Sequence, residues 1–512
     1  MGINPNSIFY HSSRLAASSV LMQLLGFFYR ILLGRLAGAQ VIAVHGLVMS
    51  AYNVVLAVTL TGIAFSVSRI AARYQALGSD RSIRRLISLS LLLFLGLFSL
   101  LALPFALFRQ SFALTILGDK DTAPALLLLI PCLFLTGFEN VHKAFFYGTG
   151  STVPPMISET LEMLCRIVVS VILFSLFPDL DIASAAALIV LGMIVSEVIS
   201  ASFLTLCYHL QLPTLPGRDN IPRRRVLRDI ADMALPVSLS TLISRVLSAA
   251  NTVLIPRTLV LSGATLTEAM EQFGVLSGMT LPLLMLPSAF LQPLITVLTP
   301  RFTAAHTLRQ PKEIRRKAAK ALHVVGLFGI PALCIIVSFG PFLARLLYQN
   351  EKAANFLLPL AFNSFLSFYY IVCESVLEGI SQQKRSAALA VGATAFGVLL
   401  TLIFGGVLKM GIYGFLIGEL SSSFVGVLIS LLWVKRFTGL QFRFHNWIGL
   451  PLLSALCSVL LIRPLFFHLC AQGIMELLAF SFCTALILLI YSLLLRLLGV
   501  DYPSYLKNLL KA

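Results

Sequence analysis

The chain has 512 residues, 58% of them hydrophobic and 12% charged, with 38 Lys+Arg against 21 Asp+Glu and a formal net charge of +17. A soluble domain carries about 25% charged residues, so that class is excluded and a multispan membrane protein is implied. The basic residues gather in short segments between apolar runs, which reads as a membrane face and not as a nucleic-acid surface.

A bilayer core about 30 Å thick takes about 20 helical residues. Apolar runs of that order centre near residues 25, 55, 97, 135, 166, 194, 245, 288, 332, 367, 397, 422, 457 and 486, which predicts fourteen spans. The opening NPNSIFYHSSR leads straight into the first run, with no cleavable leader evident. With the N-terminus in the cytoplasm, the inner loops collect Arg69, Arg73, Arg81, Arg84 and Arg85, then His142 and Lys143, then Arg218 and Arg223 to Arg228. Seven Lys/Arg between Arg301 and Lys320 follow, then Lys384 and Arg385, Lys435, Arg436 and Arg443, and finally Lys507 and Lys511. The outer loops receive the acidic pairs Asp119/Asp121, Asp179/Asp181 and Glu268/Glu271. This is the positive-inside distribution, with both termini cytoplasmic. The eight cysteines form no Cys-x-x-Cys pair and sit in apolar context, as reduced buried thiols do.

Segments recur in order. Ser68–Leu86 (SRIAARYQALGSDRSIRRL) matches Pro300–Lys317 (PRFTAAHTLRQPKEIRRK), with Arg69 and Arg301 232 residues apart. FYGTG at Phe146–Gly150 matches LEGIS at Leu377–Ser381, and GMIVSE at Gly192–Glu197 matches GFLIGE at Gly414–Glu419. Six spans lie in the first copy, an even number, so the copies are parallel repeats. The predicted architecture is an all-α integral membrane protein. Residues 1–217 form an N-terminal lobe of six spans, 218–440 a C-terminal lobe of six, and 441–512 two extra spans. The linker Gln211–Arg225, rich in proline and charge, joins the lobes.

No Gly-x-x-x-x-Gly-Lys or His-Glu-x-x-His occurs, and no histidine pair has ligand spacing on one helix face. The reading is a non-enzyme without cofactor or metal. Charges inside spans are costly and face a cavity or a partner. Glu139/Lys143 and Glu162/Arg166 are each four apart, a spacing that lets each pair neutralise itself. Glu197 and Glu419 hold matching repeat positions beside serines, and suit hydrogen bonds between helices. Glu374 and Glu378 are like charges four apart, candidates for coupling-ion exchange. Arg30 and Arg245 have no acid three or four residues away on their own helices. They are candidate substrate contacts, because a guanidinium suits a phosphate or diphosphate. The prolines Pro282, Pro287, Pro293 and Pro300 fall in one span, which permits a bend.

LGFFYRILLGRLAGAQ, GIAFSVSRIA, EQFGVLSGMTLPLLMLPSAF and LTPRFTAA, with YGTG and EGIS, resemble the stage V sporulation protein B-like group. That group lies in the polysaccharide-transporter branch of the multidrug/oligosaccharidyl-lipid/polysaccharide (MOP) exporter superfamily. The resemblance implies a V-shaped, two-lobed transporter exporting undecaprenyl-linked saccharides by alternating access, in particular precursors for spore-cortex peptidoglycan. It implies the plasma membrane, a lipid-linked oligosaccharide as substrate, membrane lipids and cell-wall synthases as partners, and no nucleic acid. Arg166 and Asn251 join Arg30 and Arg245 as candidate substrate-site residues; relatives tend to carry Asp near Asn251. Lipid II flippases carry arginines where this chain has Gln23 and Pro282, so their cationic site is not carried over. The alternatives are a lipid II flippase of vegetative wall synthesis, a multidrug/cation antiporter, and, of another class, a membrane-embedded glycan polymerase or a cell-wall scaffold.

Overall fold

The computed structural model describes residues 8–77, 79–211 and 221–500, so Arg218, Lys507 and Lys511 lie outside the described residues. Among the described residues, fourteen helical elements of membrane-spanning length follow one another. They are α1 (Ile8–Leu36), α2 (Gly38–Ala76), α3 (Asp80–Leu107), α4 (Ala123–Gly148), α5 (Val153–Leu176), α6 (Ile182–Gln211) and α7 (Arg223–Leu261). After them come α8 (266–307), α9 (Pro311–Ser338), α10 (Leu357–Gly379), α11 (Gln383–Val407), α12 (Ile412–Thr438), α13 (His445–Ala471) and α14 (Glu476–Leu497). No β-strand occurs among the described residues. Twelve elements meet the length and apolarity of a span by themselves. The other two fall short for local reasons. Helix α5 carries Glu159, Glu162 and Arg166. Element α8 carries Glu268 and Glu271, passes through a π-helical turn at Leu276–Thr280, and is broken after Met285 before resuming as Ser288–Thr307.

Local chemistry sets the helix ends. Thr265 and Glu268 close a capping box at the start of α8, Thr265 N donating to Glu268 Oε2 at 2.9 Å. Pro287 stands at the cap of Ser288–Thr307, and Pro282 in the first turn of Leu281–Met285, where a missing N–H is harmless. Asp181 precedes α6; bonds from the Ser184 side chain and nearby backbone N–H groups hold its carboxyl below the usual value.

By packing, the chain forms two units: Met1–Gly278 with Thr394–Phe415, and Met279–Ala393 with Leu416–Ala512. The first centres on Val67, Ile70, Ile83, Phe94, Phe145 and Val226, all buried. In the second, Leu327 and Ile330 of α9 pack with Ala455 of α13 and Tyr491 of α14. Tyr491 donates to the Leu327 carbonyl at 2.8 Å, so the two extra helices are fixed to α9.

The repeats share one helix crossing. At Gly148, which ends α4, a Cβ would strike Ser68 and Ala71 of α2. At Gly379, which ends α10, a Cβ would strike Phe302 and crowd Thr299 of α8. Each of the three residues is displaced by 231 positions from its counterpart. The glycine in YGTG and EGIS therefore has a physical cause: only hydrogen fits where these backbones meet.

Candidate functional site: a charge network across α4, α5 and α6

Helix spacing lines up Glu139 and Lys143 on α4, Ser158, Glu159, Glu162 and Arg166 on α5, and Ser196, Glu197 and Ser200 on α6. Packing of the three helices then merges the two expected pairs into one network. Lys143 Nζ lies 3.0 Å from Glu139 Oε1, 3.6 Å from Glu162 Oε2 and 3.8 Å from Glu159 Oε1. Arg166 pairs with Glu162, donates to Ser196 Oγ at 3.2 Å, and lies 3.7 Å from Glu197 Oε1. Ser158 donates to Glu139 Oε1 at 3.1 Å, and Ser200 donates to the same oxygen. The Glu139 and Glu197 side chains are 1% and 5% exposed, which excludes a merely solvated surface cluster.

Four carboxylates face two cations. Carboxylate oxygens of Glu139, Glu162 and Glu197 lie within 4.8 Å of one another, and no hydrogen-bond donor among the described residues reaches Glu197 Oε2. With every group ionised the network holds an excess of two negative charges. An uncompensated buried charge is strongly destabilising, so the arrangement favours uptake of positive charge. Carboxylates at this separation can share a cation, and Lys143 and Arg166 already supply two fixed ones. Hydroxyl pairs brace the neighbourhood: Tyr52 with Thr136 at 2.9 Å and Tyr29 with Ser170 at 3.3 Å.

Of the candidate substrate-site and coupling residues, only Arg166 belongs to this network, together with the paired Glu139, Lys143 and Glu162 and with Glu197. Arg30 and Arg245 are exposed and make no ion pair among the described residues. Asn251 is half-buried on α7. On α10, Glu374 is half-buried and Glu378 exposed, and neither forms an ion pair among the described residues. Sequence reasoning missed Glu159, Ser158 and Ser200 as members. Glu159 stands three residues before Glu162, and Ser196 and Ser200 are four apart, a spacing that puts them on one face. It also missed Arg257, whose guanidinium donates to the carbonyls of Thr115 (2.5 Å) and Ile116 (2.9 Å) beside an apolar cavity of about 800 Å³.

Residues 11–306 match the family described as "Polysaccharide biosynthesis protein". The chain belongs to that family. Residues 276–403 of this polysaccharide biosynthesis family member also match the family described as MatE. It is 25% identical to stage V sporulation protein B of Bacillus subtilis (strain 168) over 393 residues, 75% of this chain and 74% of that one. It is 21% identical to sporulation protein YkvU of the same organism over 297 residues, 57% of this chain and 66% of that one. Among solved structures, an inward-facing multidrug resistance MATE family transporter of the MOP superfamily superposes with a TM-score of 0.68 at 18% identity, over 82% of this chain and 94% of that one. A MOP superfamily transporter from Pyrococcus furiosus Vc1 (DSM3638) gives 0.60 at 18%, over 83% and 95%. At such identities the likeness shows the fold: that of a multi-pass membrane transporter.

Proposed function

We propose that this family member is a flippase-type exporter, not an enzyme, that moves an undecaprenyl-linked saccharide across the plasma membrane by alternating access. Its substrate is a peptidoglycan or polysaccharide precursor, with spore cortex as the destination its sporulation relatives favour. The orientation has both termini cytoplasmic, and the lobes are 1–217 and 218–440, with 441–512 appended. The observation that carries a coupled-transport reading is the network on α4, α5 and α6, where the buried carboxylates of Glu139 and Glu197 and the half-buried one of Glu162 share two cations. Uptake and release of positive charge there changes which carboxylate holds Arg166, and so the packing of α5 against α6. The saccharide comes from the family match over 11–306.

Arg30 and Arg245 are the guanidiniums left for a lipid diphosphate, with Asn251 farther along α7 as a neutral hydrogen-bonding partner. Arg166 is engaged by Glu162 and Glu197, and its role is to transmit the network's charge, not to touch substrate. Glu374 and Glu378 form a second, weaker coupling position. Cell-wall synthases are the protein partners of this reading.

The test is reconstitution into liposomes with a fluorescent lipid-linked oligosaccharide, reading its exposure on the far leaflet. Faster exposure than in empty liposomes, slowed by Glu197→Gln, is expected. A folded, inserted protein that leaves exposure at the empty-liposome rate overturns the proposal. The MatE match over 276–403 favours a second reading, a multidrug/cation antiporter. That reading predicts ion-driven efflux of a fluorescent organic cation instead.

A further inference from the structure

The second unit holds two neighbouring cavities of opposite character. The first, about 950 Å³, is lined by the opening turns of α9 and by residues 440–447. Its cations are Lys312, Arg315, Arg316, Lys320 and Arg443, and no carboxylate among the described residues lines it. Glu313 is the acid of that helix turn, and it pairs with Arg316 at 2.7 Å and Lys317 at 3.8 Å. Lys312, Arg315, Lys320 and Arg443 make no ion pair among the described residues. The second cavity, about 260 Å³, is lined by apolar and aromatic side chains that include Phe365, Leu428, Phe442 and Phe444.

Trp447 lines both cavities. The connecting segment divides its side chains between the two cavities before turning helical at His445–Gly449. Gln441 and Arg443 line the basic cavity, Phe442 and Phe444 the apolar one, and Asn446 the basic one again. The segment is held in place from behind. Tyr369 donates to the Trp447 carbonyl at 3.2 Å, and the same carbonyl lies where a Cβ at Gly326 of α9 would be.

Positive-inside bias accounts for cations facing water. It does not account for four unpaired cations around one concavity at the start of α9, where the helix dipole is itself positive and disfavours them. Nor does it account for an apolar cavity across the same tryptophan. We propose that the two cavities form one binding site for an anionic membrane phospholipid of the cytoplasmic leaflet. The phosphate sits among Arg315, Lys320 and Arg443, and one acyl chain enters beside Phe442, Phe444 and Trp447. Basic pockets between spans on the cytoplasmic side suit such headgroups, and the apolar neighbour selects a lipid over a free anion. The site shares no residue with the network on α4, α5 and α6 and does not depend on what the protein transports.

The chain has two tryptophans, which makes the site readable. Full-length Trp433→Phe protein leaves Trp447 as the sole indole. It is placed in phosphatidylcholine vesicles containing lipid with brominated acyl chains, and quenching is followed. Brominated phosphatidylglycerol is expected to quench at about a tenfold lower mole fraction than brominated phosphatidylcholine. Arg315→Gln with Arg443→Gln is expected to erase that preference, and Arg315→Lys with Arg443→Lys to retain most of it. If the double Gln variant does not insert, Lys320→Gln alone is expected to lower the preference two- to threefold. Equal quenching by the two lipids, or a preference that survives the Gln variants, overturns the proposal. So does displacement of brominated phosphatidylglycerol by an equal concentration of inorganic phosphate, which would mark a free-anion site.

Discussion

The two halves cross helices alike but differ in charge. Gly148 against Ser68 and Ala71 in the first is matched by Gly379 against Thr299 and Phe302 in the second. Counting on by the same 231 residues, Glu139 becomes Tyr370 and Lys143 becomes Glu374. The helix that answers to α5 is α11, which has no charged residue between Arg385 and Lys409. Glu197 does have a counterpart, Glu419, but nothing like Arg166 stands on α11 to meet it. The shared crossing rests on backbone approach, which tolerates no side chain. The charges rest on side-chain choices that one copy made and the other did not. A duplicated frame thus carries these charges in one half, and the positions that answer to Glu139, Lys143 and Arg166 in the other do not repeat them.

The sharpest way to break this comparison is Arg166→Leu. It takes the cation from buried Glu197 and leaves Glu162 with Lys143 alone, at about 3–5 kcal/mol. A large fall in the thermal midpoint is expected, partly restored by adding Glu162→Gln. An unchanged midpoint would mean that the network contributes nothing to the first half. Next come Arg30→Ala and Arg245→Ala, at the corresponding leading helices of the two halves. Each removes a charge-assisted contact of about 1.5–3 kcal/mol, so binding of a lipid-linked saccharide, read by titration, should weaken about tenfold or more. Normal affinity in both folded variants removes the cationic contacts from the proposed mechanism.

Gly148→Ala and Gly379→Ala probe the shared crossing. Overpacking costs about 1–3 kcal/mol, and similar falls in thermal midpoint are expected in the two halves. A harmless substitution at either glycine would show that the crossing is not common to them. The smallest effect belongs to Glu374→Gln. This half-buried acid has no ion pair among the described residues, so the midpoint should hold or rise slightly. A loss comparable to that from Arg166→Leu would mean that the second half has an ionic network after all.

The spans, the basic flanks and the repeated glycines were legible in the sequence because they depend on apolar length, charge placement and local spacing. The pairs Glu139/Lys143 and Glu162/Arg166 were legible for the same reason, each lying one helical turn apart. Their fusion was not. It depends on how α4, α5 and α6 turn their faces to one another, which no single helix records. Glu159 has no basic residue three or four positions away on α5, and its partner Lys143, 3.8 Å off, comes from α4. The basic and apolar cavities beside Trp447 were hidden in the same way, since α9 and residues 440–447 are more than a hundred positions apart. Their one local sign is the alternation in Gln441, Phe442, Arg443 and Phe444.

The break in α8 has a kinetic consequence. Pro287 has no amide hydrogen, and Leu286 N reaches only the Leu283 carbonyl, at 3.4 Å, in place of a full helical bond. Weakly held amides lose protection through small local openings, without unfolding of the helices on either side. In deuterated buffer the label should therefore reach Leu286 before Leu283 and Leu284, whose side chains are buried in the short helix just before it.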